Sequence, residues 1–383
     1  MIKKIFIPIG IPFFLSIIPA LILLSCGNDA INRQPCAESL PCLQPVVNAC
    51  PNLTTGAWTS LGLEKENVSA VAVHPCNPGI IYAGTLRDFS AGKPGKLFKS
   101  TDCGAHWDTL AVGGSYRTIR FSPGNPDVIY AVNGGILKSN DGGQNWQRAD
   151  EDIHIDGETK VSALTINPKN SCELYAGTGG FHGGKLYHST NGGKNWSRIE
   201  GKGLEDLGNN MNRLDNGVTS LAMDPAHPNH IYVGTAQSGD VLHSADGGDT
   251  WELTGLKDTG SLVNALLVDP QNSGRIYAGL SDEGLHVSEN GGSSWRLITN
   301  KFLADTTSVV ELDDRNNILY VVTTHGDSGS LLAYHSSTGI MNKLSVPVAN
   351  KSFYYSKLKI YESEYKRYIY FGLPAGIYAR IDE

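Results

Sequence analysis

The chain has 383 residues, among them 44 glycines, with 40% hydrophobic and 8% aromatic side chains and a formal charge of −7. That acidic balance, with no basic stripe along the chain, excludes a nucleic-acid surface of the usual kind. Abundant glycine without any long helical periodicity favours many short strands joined by tight turns.

The first residues stand apart from the rest. Met1–Lys4 carries two lysines, and Ile5–Leu24 is apolar but interrupted by three prolines. A charged start and a short apolar run make a secretory leader, and prolines fit a spanning helix poorly. Leu23–Cys26 then reads Leu-Leu-Ser-Cys, which resembles a bacterial lipoprotein box. The resemblance implies removal of residues 1–25 and a lipid (palmitate-type) anchor at Cys26. Gly27 follows where an aspartate would mark inner-membrane retention, which implies an outer-membrane location in the cell envelope, periplasmic or surface-facing. Lipid tails attach a protein to a membrane surface without spanning it.

Residues 26–55 read as a tether, with Pro35, Pro41, Pro45 and Pro51 and little periodicity. They hold Cys36, Cys42 and Cys50, and an exported chain with six further cysteines beyond Cys26 points to disulfides. No histidine or two-residue cysteine spacing accompanies them, so no metal site is expected. No cofactor motif is present either.

From residue 56 onward two repeats run in parallel. The pattern Ser-x-(Asp/Asn)-x-Gly-x-x-Trp begins at Ser100, Ser139, Ser189, Ser244 and Ser288 and ends at Trp107, Trp146, Trp196, Trp251 and Trp295. An Ile/Leu-Tyr dipeptide, usually followed by a small residue and glycine, recurs at Tyr82, Tyr130, Tyr175, Tyr232, Tyr277, Tyr320 and Tyr370. Alternating runs such as Val68–Pro75, Val161–Pro168 and Val218–Pro225 precede the tyrosines, and period-two alternation means strand. Each unit therefore reads as four strands: a (the alternating run), b (the tyrosine), c (ending at the serine) and d (opening with tryptophan). Repeated in a ring, these units make an all-β, seven-bladed β-propeller of four-stranded antiparallel blades over residues 56–383.

Trp58 indicates how the ring closes. It resembles a strand-d tryptophan but precedes the first blade, while the last unit ends after three strands. Residues 57–61 are therefore expected to complete that blade beside Gly376–Ile381, leaving no open sheet edge.

The serine-to-tryptophan pattern resembles the Asp-box, or bacterial neuraminidase repeat. With the Ile-Tyr-Ala-Gly strands it is similar to the propellers of xyloglucanase-type hydrolases and sortilin-like receptors. Asn191 and Asn290 replace two of the aspartates, and Cys103 replaces a glycine. In families that carry the box it is a folding element, so Asp102, Asp141, Asn191, Asp246 and Asn290 are expected to be structural. Asp and Asn side chains accept hydrogen bonds from nearby backbone N–H groups and hold such turns.

Function is less legible. Sialidases share the box, but they also need an Arg-Ile-Pro motif and a tyrosine–glutamate pair. Neither can be placed beside the candidate arginines Arg87, Arg117, Arg120 and Arg213. A glycoside hydrolase of the xyloglucanase type needs two carboxylates across a cleft. Asp88, in the long loop 85–95, is the weak candidate for one of them, and its partner is missing. A photosystem-assembly-type propeller is a further resemblance, although that family's arginine patch is not apparent. The long segments 85–95, 149–160, 199–217 and 323–330 all join strands b to c or d to a, which puts them on one rim. They read as a variable face for a protein or glycan partner on a rigid ring. The stretch 150–158 is acidic enough to attract a cation, or else to be a solvated loop.

Two further expectations follow from the blade alignment. Equivalent positions on the seven a strands are Ala72, Arg120, Thr165, Ala222, Leu267, Glu311 and Lys359. Glu311 and Lys359, on adjacent blades, should pair, while Arg120 faces channel water or a ligand anion. Arg87, Arg117, Arg120, Glu311 and Lys359 are thus the candidate binding residues. Cys76, in an a–b turn, and Cys103, in the c–d turn of the same blade, are expected to form a disulfide, with Cys172 bonded to a tether cysteine.

Overall fold

The computed structural model describes residues 50–382, except 157, 181–183, 205–216, 237, 299–305, 314, 326–327, 349–355 and 364–365. The leader, Cys26 and most of the tether lie outside the described residues. Seven antiparallel sheets of four strands surround a channel. In blade 1 strands a to d are Val68–His74, Asn77–Thr85, Lys96–Ser100 and Asp108–Val112. Strands a of blades 2, 6 and 7 are Thr118–Ser122, Thr306–Asp313 and Lys357–Glu362. The seventh sheet runs Lys357–Glu362, Arg367–Leu373, Gly376–Asp382 and finally Thr59–Ser60 from the other end of the chain. Thr59 lies opposite Ala379 and Ser60 opposite Tyr378, as Trp58 implied. The Trp58 indole donates to Ser345 O of blade 6, just as Trp107 donates to Leu61 O and Trp196 to Ala149 O of the preceding blade.

The two sequence repeats hold each other. All seven strand-b tyrosines are buried. Four of them reach across to the next blade and donate to the carbonyl of a box glycine: Tyr82 to Gly142 (2.7 Å), Tyr130 to Gly192 (3.0 Å), Tyr175 to Gly247 (3.0 Å) and Tyr232 to Gly291 (3.4 Å). Blade 6 has no box, and the buried hydroxyl of Tyr277 accordingly has no partner among the described residues. The glycine two residues after the tyrosine serves a different contact. A Cβ on Gly177 would lie 2.3 Å from Val218, and one on Gly279 2.5 Å from Thr307, so only glycine lets the next blade's inner strand approach so closely. Apolar clusters fill the space between successive blades.

Cysteine pairing differs from expectation. Cys103 is bonded to Cys50, with the Cα atoms 5.5 Å apart, and not to Cys76. The two turns do lie together, since the Cys103 N–H donates to Gly79 O. The chain entering strand d of blade 7, however, passes closer still. Cys50 and Leu53 are buried in the cluster that joins blades 7 and 1, and Thr55 bridges Ile381. Cys76 and Cys172 are disulfide-bonded as well. The expected tether partner of Cys172 concerns residues outside those described. Cys103 has φ 60°, in the left-handed region occupied at the same box position by Gly142 (66°) and Gly192 (69°).

Candidate functional site

The box residues are structural. In each of the five turns the serine hydroxyl receives the backbone N–H four residues on, as Gly104 to Ser100 (2.8 Å) and Gly143 to Ser139 (2.8 Å). The box Asp or Asn receives the N–H of the residue before the tryptophan: His106 to Asp102, Asn145 to Asp141, Asn195 to Asn191, Thr250 to Asp246 and Ser294 to Asn290. These hydrogen bonds, with the Thr250 hydroxyl foremost at Asp246, hold the Asp102, Asp141 and Asp246 carboxyls down at about 2. Their oxygens are engaged within their own turns.

Asp88 is similarly engaged. Its loop is a small hairpin in which Asp88 and Lys93 exchange backbone hydrogen bonds. One carboxylate oxygen receives the Ser90 hydroxyl (2.6 Å), the Ser90 N–H (2.9 Å) and the Ala91 N–H (3.0 Å). These bonds, the Ser90 hydroxyl foremost, depress its pKa, the opposite of what an acid catalyst requires. Beside it the Arg87 guanidinium sits 5.3 Å from the ring centre of Phe89, which is 80% exposed at the loop tip.

The acidic segment after blade 2 is likewise committed to its surroundings. Asp150 is buried and receives the Ile136 N–H and the Arg148 guanidinium. Asp152 receives the Trp196 N–H of blade 3, and Asp156 the N–H groups of Glu158 and Thr159. The start of this d–a connection therefore runs beside the next blade's box before crossing to the loop rim. The first residues of the 199–217 segment likewise lie beside the next blade's box, Lys202 bridging Thr250. Among the described residues no group of three or more His, Cys, Asp or Glu is placed to hold a metal. Arg213 lies outside the described residues.

The channel is where charge collects. Each of the seven aligned positions lies directly opposite its blade's tyrosine: Ala72 to Tyr82, Arg120 to Tyr130, Thr165 to Tyr175, Ala222 to Tyr232, Leu267 to Tyr277, Glu311 to Tyr320 and Lys359 to Tyr370. They form one layer of the ring. Within it the Lys359 ammonium is ion-paired to the Glu311 carboxylate, as expected. Arg120 is exposed, although it sits on an inner strand.

Lys357 had no part in the sequence reading and completes this group. It opens strand a of blade 7, two residues before Lys359 and opposite Gly372. It keeps a partly open surface yet is ringed by protein. That burial, together with the Arg120 and Arg117 charges and only partly offset by Glu311, lowers its pKa to about 8. Period-two alternation from Lys359 was the signal that could have found it.

Fold and repeats together define a seven-bladed Asp-box propeller. Residues 187–198, at the box of blade 3, match the BNR/Asp-box repeat. The chain is 25% identical over 288 residues to the xyloglucanase Xgh74A of Acetivibrio thermocellus, covering 65% of this chain and 34% of that protein. It thus spans about a third of the length of the xyloglucanases it matches over most of its own length. It is 26% identical over 152 residues to the photosystem II assembly lipoprotein Ycf48 of Synechococcus sp. (strain CC9902), covering 38% of this chain and 41% of that protein. In three dimensions it is similar to Ycf48 bound to a D1 peptide, with a TM-score of 0.56 and 14% identity, covering 87% of this chain and 100% of that one. At that identity the likeness is one of fold.

Proposed function

We propose that this protein is a surface-tethered Asp-box propeller that serves as a binding or assembly scaffold for a protein or glycan partner, held to the cell envelope by lipid at Cys26. The observation that carries the reading is the state of Asp88. The one carboxylate placed for hydrolysis by resemblance is committed to its own turn, while Arg120 of the channel layer stays exposed. The likeness to Ycf48, a propeller seen with a peptide bound, supports a binding role.

The test is crosslinking of the tethered protein in native membranes, run beside a polysaccharide panel with the purified protein. Specific partners lost on altering the loop rim support the scaffold. Turnover of a polysaccharide that is lost in Asp88→Asn would replace it with the glycoside hydrolase reading. The anchor is tested separately by Cys26→Ala, which should move the protein from the membrane to the soluble fraction.

A further inference from the structure

The inner strands of blades 7 and 2 flank that of blade 1, and all three enter the channel from the loop rim. Lys357 is the first residue of its strand, and Arg117 immediately precedes Thr118, so both stand at the rim end. Arg120 and Lys359 lie one layer deeper. Blade 1, between them, contributes Ala70 and Ala72 at these two layers, both buried in the apolar cluster it shares with blade 2, and so adds no charge of either sign there. Lys359 is already matched by Glu311. Among the described residues no carboxylate is hydrogen-bonded to Arg120 or Lys357, and Glu311 is the one acid whose charge reaches Lys357. A natural sequence tolerates cations gathered in a confined space when something anionic compensates them.

We propose that the rim end of the channel is an anion site, in which Arg120 and Lys357 receive one carboxylate or phosphate group above the Glu311–Lys359 pair. The inference rests on the scaffold reading and deepens it: the partner presents an anionic end group, such as a chain-terminal carboxylate or a phosphate ester, to the channel mouth. Arginine supplies the planar fork that suits either group, and lysine supplies a point charge. The site also couples to protons. Lys357 has a pKa of about 8, with Arg117 and Arg120 on blade 2 opposing its charge and Glu311 on blade 6 favouring it. An anion bound there restores the ammonium, so binding at pH 8 should take up roughly half a proton.

The test is calorimetry with sulfate and with citrate at pH 8 and low ionic strength, in two buffers of different ionisation enthalpy. Neither probe titrates at that pH, and comparing them separates a preference for tetrahedral anions from one for carboxylates. The expected result is saturable binding with proton uptake, weakened at least tenfold in Arg120→Gln. Uptake should be abolished in Lys357→Met, with Lys343→Met on the outer strand of blade 6 unchanged. Circular dichroism and thermal melts confirm that each variant is folded. No saturable binding of either anion, or equal binding in Arg120→Gln, Lys357→Met and Lys343→Met, would overturn the proposal. The measurement needs no partner, so it can fail while crosslinking succeeds, and the reverse.

Discussion

Replacing both Cys50 and Cys103 by alanine removes the bridge that ties the incoming chain to blade 1. The bonded residues are 53 apart in sequence, and closing a loop of that length in the unfolded chain corresponds to about 4 kcal/mol. A second term acts at position 103 itself. Its φ of 60° is one that a residue with a Cβ adopts at a cost of about 1 kcal/mol. The four other boxes avoid that cost with Gly142, Gly192, Gly247 and Gly291. Two double variants separate the terms. Cys50→Ala with Cys103→Ala should lose about 4 kcal/mol. Cys50→Ala with Cys103→Gly should lose about 3 kcal/mol, since glycine restores the usual box. Urea unfolding followed by tryptophan fluorescence reads both, at matched denaturant slopes. If the alanine pair were as stable as the parent, the bridge would not constrain the unfolded chain. If glycine at 103 were no better than alanine, the left-handed conformation would not be the reason four boxes carry glycine there.

Tyr82→Phe should lose about 1 kcal/mol with its bond to Gly142, whereas Tyr277→Phe should be neutral or slightly stabilising, because that hydroxyl has no partner among the described residues; paired urea melts decide it. Lys357→Met should stabilise the protein at pH 7 by about 1–2 kcal/mol, the open channel screening part of the full effect. The folded pKa of about 8 lies below the usual 10.5, so the ammonium is disfavoured by folding, and the gain should vanish as pH rises from 8 through 10.5 in a series of thermal melts. Glu311→Gln should cost about 1 kcal/mol by stranding Lys359, with the loss cancelled in Glu311→Gln combined with Lys359→Met. The carboxyls of Asp102, Asp141 and Asp246 sit at about 2, so their contribution is complete above about pH 4 and is lost as pH falls through 2; changing all three to Asn should flatten acid unfolding over that window.

The ring was legible because two motifs with different spacings had to fit one blade. The contact between Tyr130 and Gly192 explains why they travel together, and Tyr277, without a partner among the described residues, marks where the box is missing. The channel layer was legible to the residue, since aligning strands on their ends reproduced the tyrosine register. Lys357 escaped because only one layer was aligned. The Cys50–Cys103 pair escaped because antiparallel pairing brings two turns together without revealing that a third segment passes nearer. The acidic stretch at 150–158 looked available because the sequence does not show that Asp150 turns inward and Asp152 reaches Trp196. What the rim binds is set by complementarity with another molecule, and no pattern within one chain encodes that.

The bridge also decides how the ring bears mechanical load. Blade 7 is completed by a strand of only two residues, and tension on the chain ahead of it would shear that strand from its neighbour with few bonds to resist. Cys50 lies upstream of the strand and is joined covalently to blade 1. A pull from the N-terminal side therefore passes into the c–d turn of blade 1 and bypasses residues 51–60, leaving the closing strand slack however hard the chain is drawn.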